Sequence, residues 1–144
     1  MEIERITSVR QIDDILPMMM EAHKNGELYQ GKSLAAYIYY CAFNLIFPDQ
    51  FALLMFKKDG SAKGYIIAHI GSNQFENHCS IVDAHIDEYD LDATQRAYDM
   101  IEEWAISNGC IFMETISVRA EAVCRRYGFE PKSQYMRKTI GGAK

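Results

Sequence analysis

Residues 85–105, "HIDEYDLDATQRAYDMIEEWA", decide how this chain is built. The first residues end a strand, the acidic middle makes a turn, and the remainder opens a helix at its N-terminus. Upstream, "HCSIVDAHID" (78–87) alternates, with Val82, Ala84 and Ile86 on one face and Asp83, His85 and Asp87 on the other. That alternation predicts a strand with one polar face. Downstream, Tyr98, Ile101 and Ala105 recur at helical spacing, Asn108-Gly109 supplies a stop, and "CIFMETIS" (110–117) predicts a further buried strand. A helical crossover between two strands favours parallel pairing, because a tight turn cannot join parallel neighbours.

The same reading extends to both ends. "MEIERIT" (1–7) alternates Ile3 and Ile6 with charges, as a first strand would. Ser8 stands three residues before Gln11 in a capping-box pattern, and Ile12, Ile15, Leu16, Met19 and Met20 fall on one side of the helix that follows. Pro17 predicts a kink in that helix, or a break into two pieces. "SLAAYIYYCAFNLIF" (33–47) predicts a second helix with a core-facing stripe of Tyr37, Tyr40 and Phe43. "FALLMFKKDGSAKGYIIAHIG" (51–71) reads as a hairpin turning at Asp59-Gly60. "VRAEAVCRRYG" (118–128) predicts a short helix stopped by Gly128, and "FEPKSQYMRKTI" (129–140) a last strand. The fold class is therefore α/β: one domain over residues 1–144, with a mixed sheet of about six strands and helices on both faces. Where such a sheet changes from antiparallel to parallel, strands can splay.

Composition narrows the function classes. A net charge of -5, with no long basic block, gives no electrostatic reason to bind nucleic acid. No run approaches the ~20 apolar residues of a membrane span, and the charged N-terminus is unlike a secretory signal, so a cytoplasmic protein with no membrane partner is expected. Cys41, Cys79, Cys110 and Cys124 are widely spaced without a C-x-x-C pair, which predicts reduced thiols and no metal site. Residues 76–103 are strongly acidic, with Arg96 as the sole cation, whereas residues 118–138 are mostly basic. Two solvated, mutually attracting faces account for that asymmetry.

The element order, the "KDGSAKGYIIAHI" hairpin, the "EEWAISNGC" helix end and the closing "RAEAVCRRYGFEPKSQYMRK" together resemble the GCN5-related N-acetyltransferases, the GNAT superfamily. The resemblance spans nearly the whole chain. Its most specific part is the short helix running into "YGFE" and then a strand with "YMRK". It implies a GNAT-like acyl-CoA N-acyltransferase fold and an N-acetyltransferase that moves an acetyl group from acetyl-CoA to an amine of a small molecule or protein. Acetyl-CoA would enter where the fourth and fifth strands diverge after Ile86. There, pantetheine hydrogen-bonds the exposed strand edge and the pyrophosphate rests on amides of the following helix.

The resemblance also assigns residues. The family's pyrophosphate turn reads Arg or Gln, two residues, Gly, one residue, then Gly or Ala. Anchored on Trp104-Ala105, those places fall at Tyr89, Asp92 and Thr94, and all three depart from the pattern. The implied cofactor-binding set is Asp92, Ala93, Thr94, Gln95 and Arg96, with main-chain groups of Ala84 and Ile86, and Ser117 where the family carries asparagine. Asp90 or Asp92 would make a good N-cap, occupying the amides a phosphate needs. Like charge at about 4 Å adds a repulsion on the order of 1 kcal/mol in water. The family's general-acid tyrosine falls at Cys124, and Tyr127 offers a hydroxyl close to it in angle on the helix.

For a general base, His85 is best suited to take a proton near neutrality, with Asp83 beside it. Glu27 and Tyr29, between the first two helices, would meet the amine, and Glu114 on the fifth strand could share the site. The plain structural readings are a small buried thiol at Cys124, a wet strand face at His85 and solvated loop residues at Glu27 and Tyr29. Two other functions fit the same pattern. One is a catalytically inactive GNAT-like interaction or structural protein held in a stable complex, a homodimer included. The other is binding of a ligand less charged than CoA in the same cleft.

Overall fold

The structure, a computed structural model, describes residues 1–28, 33–115, 126–131 and 138. Its elements run β1 (Glu2–Arg5), α1 (Val9–Lys24), α2 (Leu34–Asn44), β2 (Phe51–Lys58), β3 (Ser61–Ser72), β4 (Asn77–Ile86), α3 (Leu91–Ser107) and β5 (Cys110–Thr115). The strands lie in one sheet in chain order, antiparallel from β1 to β4 and parallel between β4 and β5. Five strands are found among the described residues. Most of the expected last helix and strand falls outside them; Arg126 and Tyr127 are the helical residues described there.

Strand alternation builds two cores. Phe51, Leu53, Met55, Tyr65 and Ile67 pack under α1 and α2, whereas Ala52, Leu54, Phe56, Ile66 and Ala68 pack under α3. The expected mixed sheet with helices on both faces is thus present. Its hairpin turns where expected, with Asp59 at φ 52° and Gly60 at φ 78°, the left-handed pair that a type I′ turn requires. In α1, Gln11 Oε1 accepts the Ser8 amide at 3.1 Å, forming one half of the capping box.

Three expectations are corrected. Of the two outcomes expected at Pro17, the break does not occur: α1 continues through it, because buried Ile12 and Ile15 before it and Met18, Met19 and Ala22 after it hold both halves on the sheet. Met20 is exposed, and of the α2 stripe Tyr37 is buried, Tyr40 is half-buried and Phe43 is exposed. β5 is less covered than its apolar sequence suggests, with Ile111 70% exposed. No helix among the described residues is long and apolar enough to cross a membrane.

The fold positions the site through an irregularity in β4. Ile67 pairs with Asp83 but Ala68 pairs with Ile81, so Val82 is an extra residue on β4. Such a bulge re-aims everything after it. Val82 consequently packs with the α1/α2 core, on the same side as Asp83 and His85 rather than with Ala84 and Ile86 as simple alternation predicts. The β4–β5 ladder is described as far as Ile81 and Thr115.

A second feature fixes β4 against β3. Gly64 faces Ile86, and a Cβ there would lie 3.0 Å from the His85 carbonyl oxygen and 3.1 Å from Ile86 Cα. Gly64→Ala is expected to lower stability by roughly 1–3 kcal/mol in urea denaturation, because backbone rather than a flexible side chain must yield. An unchanged midpoint would mean that β4 moves away from β3 at little cost.

Candidate active site

Just past the bulge, four polar side chains meet in otherwise apolar packing. The Tyr37 hydroxyl, from α2, donates to Asp83 Oδ2 at 2.7 Å. The hydroxyls of Tyr37 and Tyr65 are 3.1 Å apart. Because Tyr37 gives its proton to the carboxylate, Tyr65 is the donor in that second bond. His85 Nε2 lies 3.1 Å from the same Asp83 oxygen, and its ring sits 5.3 Å from that of Tyr65. Three separate elements therefore converge on one carboxylate.

Burial sets the protonation of the tyrosines. Desolvation, followed by the charges of Tyr65 and Asp83, pushes the Tyr37 hydroxyl far above the usual phenol range. Tyr65 is pushed up for the same leading reason. Both are neutral donors throughout the physiological range. Cys41 lies near them, its thiol pushed up to about 12 by burial and then by Asp83, which makes it an inert packing group. Asp83 and His85 each keep 13% of their side chains exposed, enough for a reactant to reach an imidazole.

The main chain of this segment has a defined direction. Asp87 N–H donates to the Lys63 carbonyl at 2.8 Å, and the register places Tyr65 opposite His85 two residues along each strand. His85 thus belongs to a hydrogen-bonded pair, and the main-chain groups of Ala84 and Ile86 point to the other edge of β4. Ala84 N–H also meets Asp83 Oδ1 at 3.0 Å. The divergence expected beyond Ile86 concerns residues after Thr115, which lie outside the described residues.

At the start of α3, the amides are already occupied. Asp90 is the N-cap: its Oδ1 accepts the Ala93 amide at 2.9 Å, and its carbonyl accepts both the amide and the hydroxyl of Thr94. The Ala93 bond, ahead of other influences, holds the Asp90 carboxyl below the usual carboxylate range. Arg96 pairs with Asp92 at 3.0 Å and donates to the Met1 carbonyl, while Gln95 donates to Asp99. Of the implied phosphate-binding residues, Ala93, Thr94, Gln95 and Arg96 are therefore engaged within the protein. A capping carboxylate stands where a phosphate would.

A pH test follows from the cap. A carboxylate with a lowered folded pKa stabilises the fold above its unfolded value and loses that contribution as pH falls through the folded value. Asp90→Ala is expected to lower the melting temperature by about 3 °C at neutral pH, and by less below pH ~4. Equal losses at both pH values would show that the cap acts without its charge.

The remaining candidates are dispersed. Tyr127 stacks on Tyr98 of α3 at 4.5 Å, and its hydroxyl meets that of Tyr89, which also accepts from Arg126. Burial, then Tyr89, pushes the Tyr127 hydroxyl above the ordinary phenol value. Glu114 accepts from Ser80 Oγ at 3.1 Å and faces His78 Nε2 at 3.6 Å. Glu27 is exposed just past α1. Tyr29, Ser117 and Cys124 lie outside the described residues. Sequence reasoning missed Tyr37 and Tyr65 as polar members of the site. The available signal was a tyrosine on an apolar face, because a buried phenol has to find a partner.

This architecture is that of known acetyltransferases. No family model matches the sequence, and no curated protein is similar to it. Among solved structures, glucosamine-6-phosphate N-acetyltransferase from Arabidopsis thaliana superposes with a TM-score of 0.74 at 11% identity, covering 96% of this chain and 97% of that one. The aminoglycoside 6'-N-acetyltransferase AAC(6')-IG from Acinetobacter haemolyticus gives 0.72 at 17% identity, covering 97% and 99%. AAC(6')-Iy, in complex with a bisubstrate analogue built on CoA, gives 0.72 at 16% identity, covering 96% and 98%. The chain has the fold of these acetyltransferases.

Proposed function

We propose that this protein is an N-acetyltransferase that moves an acetyl group from a thioester donor, acetyl-CoA in the first instance, to a primary amine. The observation that carries the reading is the Tyr65–Tyr37–Asp83–His85 chain of hydrogen bonds at the β4 bulge. With Nε2–H given to Asp83, His85 presents Nδ1 as the acceptor and can take the proton of an incoming ammonium. Asp83 orients the ring and stabilises the imidazolium that results, and Tyr37 holds Asp83 in turn. A bound acetyl thioester supplies the electrophilic carbonyl. The amide of Ile86 points toward the β4 edge where charge would develop on its oxygen, while that of Ala84 is already given to Asp83. Return of a proton to the departing thiolate falls by resemblance to Cys124 or Tyr127, of which Tyr127 is among the described residues, its hydroxyl bonded to that of Tyr89.

The residues fit the acyl end of such a donor and fit the diphosphate end poorly, because Asp90 caps α3 and Asp92 retains Arg96. That observation favours the second reading, a GNAT-like protein without catalysis. Thermal melting with millimolar acetyl-CoA and, separately, with S-acetylpantetheine discriminates between them. The transferase reading expects both to raise the midpoint, the shorter donor comparably, and expects Asp92→Gly to tighten acetyl-CoA. No shift with either donor, and no thiol release against a panel of amines, would leave the non-catalytic reading.

A further inference from the structure

A hollow of about 270 Å³ lies beside the hydrogen-bonded chain on the α1/α2 face of the sheet. Tyr37 and Tyr40 from α2, His69 and Gly71 from β3, and His78 and Val82 from β4 line it. We propose that this hollow seats the body of the acceptor, and that the acceptor is a primary amine carrying an aromatic or flat apolar group on a flexible linker. The inference rests on the transferase reading and names its substrate class.

Three observations support it. The first is position: Tyr37 forms part of the wall while its hydroxyl bonds Asp83, and Val82 immediately precedes Asp83. An occupant is thereby one carboxylate away from His85. Strand rise of ~3.3 Å per residue puts the Val82 end of the hollow roughly 10 Å from His85 along the chain, so the amino group needs a linker of several atoms to reach it.

The second is lining chemistry. The walls are rings, a valine, a glycine and Ser80, whose hydroxyl is given to Glu114, with Gly71 admitting the His78 ring to within 3.3 Å of where a Cβ would lie. Tyr37 has already spent its proton on Asp83. His78 Nδ1, buried without a partner among the described residues, and Ser80, already bonded to Glu114, are too few for the several hydroxyls of a sugar amine, and a phosphorylated one would find no lysine or arginine in the wall. Aromatic walls favour a ring instead.

The third is charge. Glu114, held by Ser80 and facing His78, places a carboxylate at the β4 side of the hollow, and Asp83 places another beyond Tyr37. Burial lowers the pKa of His69, which keeps that wall neutral and unopposed to a cation. Of the two carboxylates, Asp83 draws an ammonium toward the end where it reacts, whereas Glu114 is already engaged by Ser80 at the far end.

The test is a thiol-release assay with S-acetylpantetheine or acetyl-CoA and four acceptors: butylamine, benzylamine, phenylbutylamine and glucosamine. Phenylbutylamine is expected to exceed butylamine and glucosamine in kcat/KM by at least about tenfold, the worth of burying a ring, and to exceed benzylamine, whose linker is too short. Val82→Trp, which fills the hollow, is expected to bring the phenylbutylamine-to-butylamine ratio close to one. Preference for glucosamine, or a ratio that Val82→Trp leaves intact, overturns the inference while the transferase reading stands. Should no acceptor turn over, the transferase reading fails, and saturation-transfer NMR on the wild-type protein then decides the hollow by itself. Contact to the phenylbutylamine ring that Val82→Trp abolishes supports it, and absence of contact refutes it.

Discussion

Replacing His85 by alanine is expected to lower turnover of acetyl transfer about 10²–10³-fold, in the range that a positioned general base contributes. The imidazole is the group at the bulge that is both reachable and held in one orientation, by Asp83 at 3.1 Å and by the Tyr65 ring. Asp83→Asn should cost nearly as much while leaving the melting temperature close to that of the wild type. An amide keeps the shape and can still accept from Tyr37, but it no longer stabilises an imidazolium. The double substitution should then cost little more than either alone, because the two side chains act as one unit. Steady-state kinetics with a saturating amine checks this, and full additivity would mean that Asp83 and His85 serve separate purposes.

The largest stability effect is expected at the same carboxylate. Asp83→Ala removes the acceptor shared by Tyr37 and His85 and strands a buried phenol, which should cost roughly 2–4 kcal/mol in urea denaturation. Tyr37→Phe, which removes one donor and leaves Asp83 its histidine, should cost roughly 1–2 kcal/mol. A loss for Asp83→Ala no greater than that of Tyr37→Phe would show the chain of bonds to be loosely coupled. The alkaline limb gives an independent check. Both tyrosines have raised folded pKa values, so the native state holds its phenol protons when the unfolded chain releases them. Stability should therefore fall as pH rises past ~10, and less steeply in Tyr37→Phe.

Much of this architecture was legible without coordinates. The Asp59-Gly60 hairpin, the Ser33 and Asp90 caps and the Asn108-Gly109 stop are short-range devices, and each sits where its residue type demands. Pro17 does not break α1 for the opposite reason, since a local penalty was overcome by apolar contacts distributed along a whole helix. The α3 turn was readable because a cap involves neighbours in sequence: four carboxylates and no glycine already argued against a phosphate. What alternation could not foresee was the displacement of Val82. A bulge is an imbalance between two strands and has no unambiguous mark on either.

Sequence alone determined the order of the eight described elements, the mixed character of the sheet and the acidic cap of α3, because those follow from φ preferences, spacing and residue chemistry within a few positions. Tertiary structure decided that Tyr37 of α2, Tyr65 of β3 and Asp83 and His85 of β4 form one hydrogen-bonded chain beside an aromatic hollow. The physical reason is separation: Tyr37 and Asp83 stand 46 positions apart in the chain, and the bond between them exists because sheet register, a bulge and the packing of α2 bring them to 2.7 Å.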